Sequence, residues 1–229
     1  MQTAIETTAG VATIRDRRSF APFLVYVAAF HLLWIVWPVF LYPRVMTFGS
    51  ATLAYAAINL SFRFLYWIAP VLLYLRYVDG VNPFEYLRMT PPVRRGLILA
   101  LVLTAINVVG TFLRFGMPHL SLQRVTWNSV LGTSFLIGFF EEIPYRGFML
   151  RKFAERMNIW LANLVTSALF LSIHLPGWIA LHTFNPGGAA SVFAIGVVLA
   201  WAVSYSGSLW SAILTHSAND CLTFVIFGM

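Results

Sequence analysis

Phe139-Phe140-Glu141-Glu142-Ile143-Pro144-Tyr145-Arg146 is the stretch on which the reading of this chain turns. Two adjacent carboxylates stand inside an apolar run. In water they would be ordinary. In a bilayer ionisable residues are expensive, and they mark function by default. The surrounding composition selects the bilayer. The chain has 229 residues, of which 59% are hydrophobic and 10% charged, with a mean hydropathy of +0.78. Soluble domains carry about a quarter charged residues. A soluble fold could not hide this much apolar surface.

Working outward, a helical span needs ~20 apolar residues, and the chain has room for about seven. The expected spans are 22–42, 51–75, 96–115, 128–145, 160–175, 188–205 and 209–227. The loop 79–92 carries Asp79-Gly80, Asn82-Pro83 and Pro91-Pro92, and the loop 176–187 carries Pro176-Gly177 and Pro186-Gly187, all turn chemistry. The expected fold is all-α: a polytopic membrane protein of about seven transmembrane helices, or eight, in one bundle. Residues 1–19 form a polar amino-terminal segment with no removable signal peptide. Residues 20–229 form a single transmembrane domain, with a catalytic core at 128–227.

The net charge of +7 reports topology rather than nucleic-acid binding. With the amino terminus in the cytoplasm, Arg15, Arg17, Arg18, Arg76, Arg88, Arg94, Arg95, Arg151, Lys152 and Arg156 face inward. Only Arg44, Arg114 and Arg124 face outward. Basic residues collect on the cytoplasmic side. The expected location is therefore the cell membrane, multi-pass, of the prokaryotic inner-membrane type. Cys221 is the only cysteine, so no disulfide can form within the chain.

Glu142 and Arg146 are four apart and share a helix face, so they should pair. Glu141 points about 100° away and is expected to be the free carboxylate, which suits a general base. Pro144 removes a backbone donor, so the helix should kink or restart there. Irregular backbone at depth is tolerated only beside protein or a wet cavity. The competing reading is a solvated helix end. His174 follows Phe170-Leu171-Ser172-Ile173 and precedes Leu175-Pro176-Gly177, a helix stop. His216 stands in an apolar run with Asn219 and Asp220 close to its face. The alternative for His216 is an interhelical polar clasp. At ~1.5 Å per residue, Glu141 and His216 both lie ~20 Å from the outer face. The uncharged turn Ser206-Gly207-Ser208 would leave the site open from the cytoplasm. Arg63 is four residues from Asn59 and would pair with a core acid, receive a substrate carboxylate or snorkel. His31, His119 and His182 have no acidic neighbours in sequence and read as incidental.

Three motifs now stand in order on separate spans: Glu141-Glu142-Ile143-Pro144-Tyr145-Arg146, Phe170-Leu171-Ser172-Ile173-His174 and His216-Ser217-Ala218-Asn219-Asp220. Together they resemble the CPBP (Abi) family, which includes CAAX prenyl endopeptidases and bacteriocin-processing and immunity-related membrane proteins. Asn82-Pro83-Phe84-Glu85-Tyr86-Leu87 looks like a segment such proteins carry before their core. The resemblance implies a glutamic intramembrane endopeptidase that cleaves a membrane-associated protein or peptide, near its carboxyl terminus. It implies Glu141 and His174 as the water-activating pair, and His216 with Asn219 or Asp220 as the oxyanion side. A carboxylate at 220 departs from the family pattern and leaves that choice open. No cofactor is implied. The runner-up enzyme reading uses Glu and His as zinc ligands, although His-Glu-x-x-His is missing. A third reading is a non-proteolytic immunity protein or scaffold that binds a peptide.

Overall fold

The computed structural model describes residues 20–49, 51–118 and 122–228. The amino-terminal segment with Arg15, Arg17 and Arg18, and also His119, lie outside the described residues. Among the described residues there is no strand. We number eight helices: α1 (Ala21–Phe48), α2 (Leu53–Val78), α3 (Pro83–Tyr86), α4 (Arg94–Phe115), α5 (residues 137–154), α6 (Ile159–Ala180), α7 (Pro186–Ser206) and α8 (residues 210–227). Five of these, α1, α2, α4, α6 and α7, are long and apolar enough to cross a membrane. The chain is an all-α, polytopic membrane protein. Its outward faces carry large apolar side chains, such as Leu101 at 72% and Leu113 at 83% exposure. Such a surface is stable against lipid and not against water.

Local chemistry sets the helix ends. Thr52 caps α2 by accepting from the Tyr55 N–H at 3.2 Å. Asn82, Asn158 and Asn185 cap α3, α6 and α7 through their side-chain oxygens. Pro83 and Pro186 follow two of these caps, where a missing N–H costs nothing. Gly207 ends α7 at φ +71, a left-handed position that glycine takes without strain.

Helix α5 is the centre of the bundle. Its residues from Phe140 to Leu150 are all buried. Trp67 of α2 is fully enclosed and packs edge-on against Trp34 and Phe30 of α1, with Tyr145 of α5 also close. Tyr66 donates a hydrogen bond to the Phe30 carbonyl. Gly138 lets α8 approach α5. A Cβ at this position would collide with the Ile213 carbonyl and come within 2.8 Å of Ser217 Oγ, which accepts from the Gly138 N–H at 3.2 Å. This close approach brings His216 to the glutamate pair.

Two sequence expectations are corrected and two are met. The span expected at 128–145 is broken. A wide turn, Ser129–Thr133, ends at Ser134, and α5 then runs on through Ala154. Gly132, Thr133 and Ser134 are poor helix formers, and Glu141 becomes the fifth residue of its helix instead of lying deep in one. At Pro144 the helix changes as expected: the regular α winding ends at Glu142. The chain passes the proline in a wider π-type winding over Ile143–Met149, which absorbs the missing donor. The stop expected at Leu175-Pro176-Gly177 is present too: the first piece of α6 ends at Ser172. Proline stands at the start of a new helical piece, Leu175–Ala180, after a turn at Ile173–His174. The turn Ser206–Ser208 is closed rather than open. Ser208 is 1% exposed and abuts Gly96, and the Leu209 N–H donates to the Arg88 carbonyl at 3.1 Å.

Candidate active site

Glu142 is fully buried. Its Oε1 accepts from Arg146 at 2.9 Å and from His216 Nδ1 at 2.6 Å. The expected i, i+4 pair is therefore present, and it also holds the histidine of a second helix. The Arg146 guanidinium is enclosed too and lies 4.3 Å from the centre of the Phe170 ring. Such a cation over an aromatic face is favourable when desolvated.

Glu141 has a different environment. It is 8% exposed. Its Oε1 lies 3.5 Å from Arg63 and its Oε2 lies 3.9 Å from His216 Nε2. It is not the lone carboxylate that helix geometry alone suggests, because Arg63 of α2 reaches it. Arg63 is itself steadied. Its Nε donates to Asn59 at 3.2 Å, and Asn59 donates to Asn128 at 2.9 Å. Arg63 thus takes the first of its three expected roles, pairing with a core acid.

His216 Nε2 also faces Asp220 at 3.9 Å. Both ring nitrogens of His216 therefore look at carboxylates, which favours a ring that carries two protons. In that state Glu141, Glu142 and Asp220 are balanced by Arg63, Arg146 and His216, so the cluster is neutral as a whole. Balanced charge is the condition under which ions survive burial.

Asn219 is not aimed at His216. It accepts from Asn107 of α4 at 3.0 Å and donates to Asp220 at 2.9 Å. Of the two oxyanion candidates, Asp220 is the one beside the histidine. His174 packs edge-on against Phe170, as His216 does, with ring centroids 5.0 and 5.9 Å from that of Phe170. It is within electrostatic reach of Glu141. Its Nδ1 is 3.0 Å from the Phe170 carbonyl, which can only accept. The Nδ1 proton is fixed by that bond, and Nε2 keeps the lone pair.

The structure therefore brings Glu141, Glu142, Arg146, His216 and Asp220 into one network, puts His174 beside it and turns Asn219 away. Two participants were not legible as such. Arg63 announced itself only by its spacing from Asn59. His31, read as incidental, donates from Nδ1 to the Val27 carbonyl at 2.7 Å and accepts the Tyr145 hydroxyl at 3.2 Å. It thereby ties α1 to α5. No sequence signal marks it. His182 is exposed, as an incidental residue would be.

Among the described residues no group of three or more His, Cys, Asp or Glu is placed to hold a metal ion.

Fold and site together define a class: a multi-pass α-helical membrane protein with a buried glutamate–histidine–arginine network. Residues 123–222 match the family model described as Type II CAAX prenyl endopeptidase Rce1-like. The matched stretch contains all three motifs that carry the resemblance. No curated protein and no solved structure gives a match to the chain.

Proposed function

We propose that the protein is a glutamic intramembrane endopeptidase that cleaves a membrane-associated protein or peptide near its carboxyl terminus. The observation that carries the reading is the division of labour within the glutamate pair. Glu142 is enclosed and spends its carboxylate on Arg146 and His216. Glu141 keeps two longer contacts and some exposure. A base must be able to release one partner and take a proton.

In the proposed reaction a water lies between Glu141 and His174 Nε2. Glu141 takes a proton as the water oxygen attacks the scissile carbonyl carbon. The carbonyl oxygen becomes an oxyanion and is met by the protonated His216, whose charge offsets Asp220. Collapse of the tetrahedral intermediate breaks the C–N bond, and the proton on Glu141 passes to the leaving amine. Arg63 holds Glu141, and Glu142 with Arg146 holds His216, so these three are positioning residues. No cofactor enters the scheme.

The architecture proposed with this function has seven spans: the five long apolar helices plus the regions of α5 and α8. The motif residues lower the hydropathy of those two. The amino terminus, residues 1–19, is cytoplasmic, residues 20–229 form one domain, and the catalytic core is 128–227. The membrane is a prokaryotic inner membrane. Side-specific labelling of a cysteine placed at position 4 tests the orientation, and labelling from outside alone defeats it.

The function is tested by comparing membrane proteomes from cells that carry the wild-type protein or Glu141→Gln. A protein whose carboxyl terminus is shortened only with the wild type is expected. If Glu141→Gln cleaves at a near-normal rate, the base assignment fails. If a phenotype of deletion is fully restored by Glu141→Ala, the protein acts as a peptide-binding scaffold instead.

A further inference from the structure

One end of the bundle gathers Arg76, Arg88, Arg94, Arg95, Arg151 and Lys152, where α2 and α5 finish and α4 begins. A cavity of about 300 Å³ lies at this end. Arg88, Arg151 and Glu155 line its polar side, and Leu150, Ile159 and Val203 line its apolar side. Ile159 is 42% exposed and Trp160 beside it 64%, so the apolar wall continues into the surface that faces lipid.

The acid in the lining is already engaged. Glu155 accepts from the Tyr86 hydroxyl at 2.9 Å and faces Lys152 at 3.6 Å. Lys152 is shared with Asp79 at 2.8 Å. Arg151 stacks its guanidinium on the Tyr86 ring at 4.3 Å, which fixes the plane of its donors. Arg88 differs from its neighbours. Its side chain makes no hydrogen bond or ion pair with any described residue. Its backbone is left-handed, at φ +56, where glycine would be less strained. Three hydrogen bonds hold that turn: Arg88 N–H to the Glu85 carbonyl at 3.0 Å, Leu209 N–H to the Arg88 carbonyl at 3.1 Å, and Trp210 Nε1 to the Met89 carbonyl at 3.1 Å. A strained, well-anchored backbone that presents an unpartnered cation to a cavity is an arrangement that binding sites show.

We infer that this cavity binds the phosphate headgroup of an anionic membrane lipid, with Arg88 and Arg151 on the phosphate and an acyl chain along Leu150, Ile159 and Val203. Guanidinium forks match phosphate oxygens in shape and charge. Basic pockets between membrane helices take anionic headgroups. A free phosphate would leave the apolar wall unused, so the lipid is the occupant. The inference is independent of the peptidase reading, because Glu141 takes no part in it.

The test uses the full chain, purified in a neutral detergent, with native mass spectrometry of lipid adducts. The lipids are phosphatidylglycerol and phosphatidylcholine. Arg88→Gly is the informative variant, since it removes the guanidinium and relaxes the backbone. Arg95→Gln, an exposed cation of the same rim that does not line the cavity, is the control. Retention of phosphatidylglycerol over phosphatidylcholine is expected for the wild type. It should fall about tenfold in Arg88→Gly, the worth of one charge-assisted contact, and stay unchanged in Arg95→Gln. Equal losses in both variants would reduce the effect to diffuse surface charge and overturn the inference. So would no loss in Arg88→Gly, or complete displacement of the lipid by millimolar inorganic phosphate, which would identify a site for the free anion.

Discussion

Replacing Glu142 by Gln removes one charge and leaves the shape of the side chain almost unchanged. The structure says what that charge supports. One oxygen accepts from Arg146 at 2.9 Å and from His216 at 2.6 Å, and all of this is out of solvent. A charge-assisted bond contributes ~1.5–3 kcal/mol, and a neutral one ~1. Glutamine keeps one neutral acceptor and strands the Arg146 guanidinium, and breaking a buried pair costs ~3–5 kcal/mol. We expect a loss of about 3–4 kcal/mol. For a chain of this size each kcal/mol moves the melting midpoint by ~2–4 °C, so Tm should fall by roughly 10 °C. The assay is thermal unfolding of the detergent-purified protein followed by tryptophan fluorescence. Glu141→Gln is the internal comparison. Its contacts, at 3.5 and 3.9 Å, exceed hydrogen-bond length, and its loss should be about 1 kcal/mol. In the double variant Glu142→Gln/Arg146→Met the loss should be smaller than the sum of the single losses, because the stranded charge is gone. An unchanged Tm in Glu142→Gln, or an equal fall in Glu141→Gln, would refute the division between a structural and a reactive glutamate.

Gly138→Ala should cost ~1–3 kcal/mol, because the new Cβ meets Ile213 and Ser217 where α5 and α8 touch. Gly110→Ala, inside α4 with nothing within 4 Å of the new atom, should raise Tm by a few degrees at most, since alanine is the better helix former, and an equal loss in both variants would contradict the close approach. Arg63→Gln should lower the cleavage rate more than it lowers Tm, with Arg63→Lys restoring part of the rate; a full rate in Arg63→Gln would remove Arg63 from the site. Burial and the neighbouring Glu155 push the Tyr86 hydroxyl well above its ordinary range. A group raised in the fold stabilises below its unfolded value and loses that contribution as pH rises past ~10. Wild type should therefore lose stability relative to Tyr86→Phe above that pH, and parallel profiles for the two would exclude the effect.

The sequence by itself determined the solvent and picked out the charged residues that had to be housed in it. With 59% hydrophobic residues against 10% charged, only a bilayer could surround the chain. Helical spacing alone paired Glu142 with Arg146, because i and i+4 share a face whatever the tertiary fold. Asn82-Pro83 and Pro186-Gly187 marked breaks between helices for a similarly local reason. Residues far apart in the chain were another matter. That Arg63 meets Glu141, that His216 leans on Glu142, that Asn219 turns to Asn107 and that His31 holds Tyr145 all depend on how the helices pack. Packing is set by small features such as the bare backbone of Gly138, the wide winding past Pro144 and the break at Ser134. These shift a helix face by a fraction of a turn. Local periodicity cannot register such a shift, yet a fraction of a turn decides which carboxylate is enclosed and which keeps a path to water.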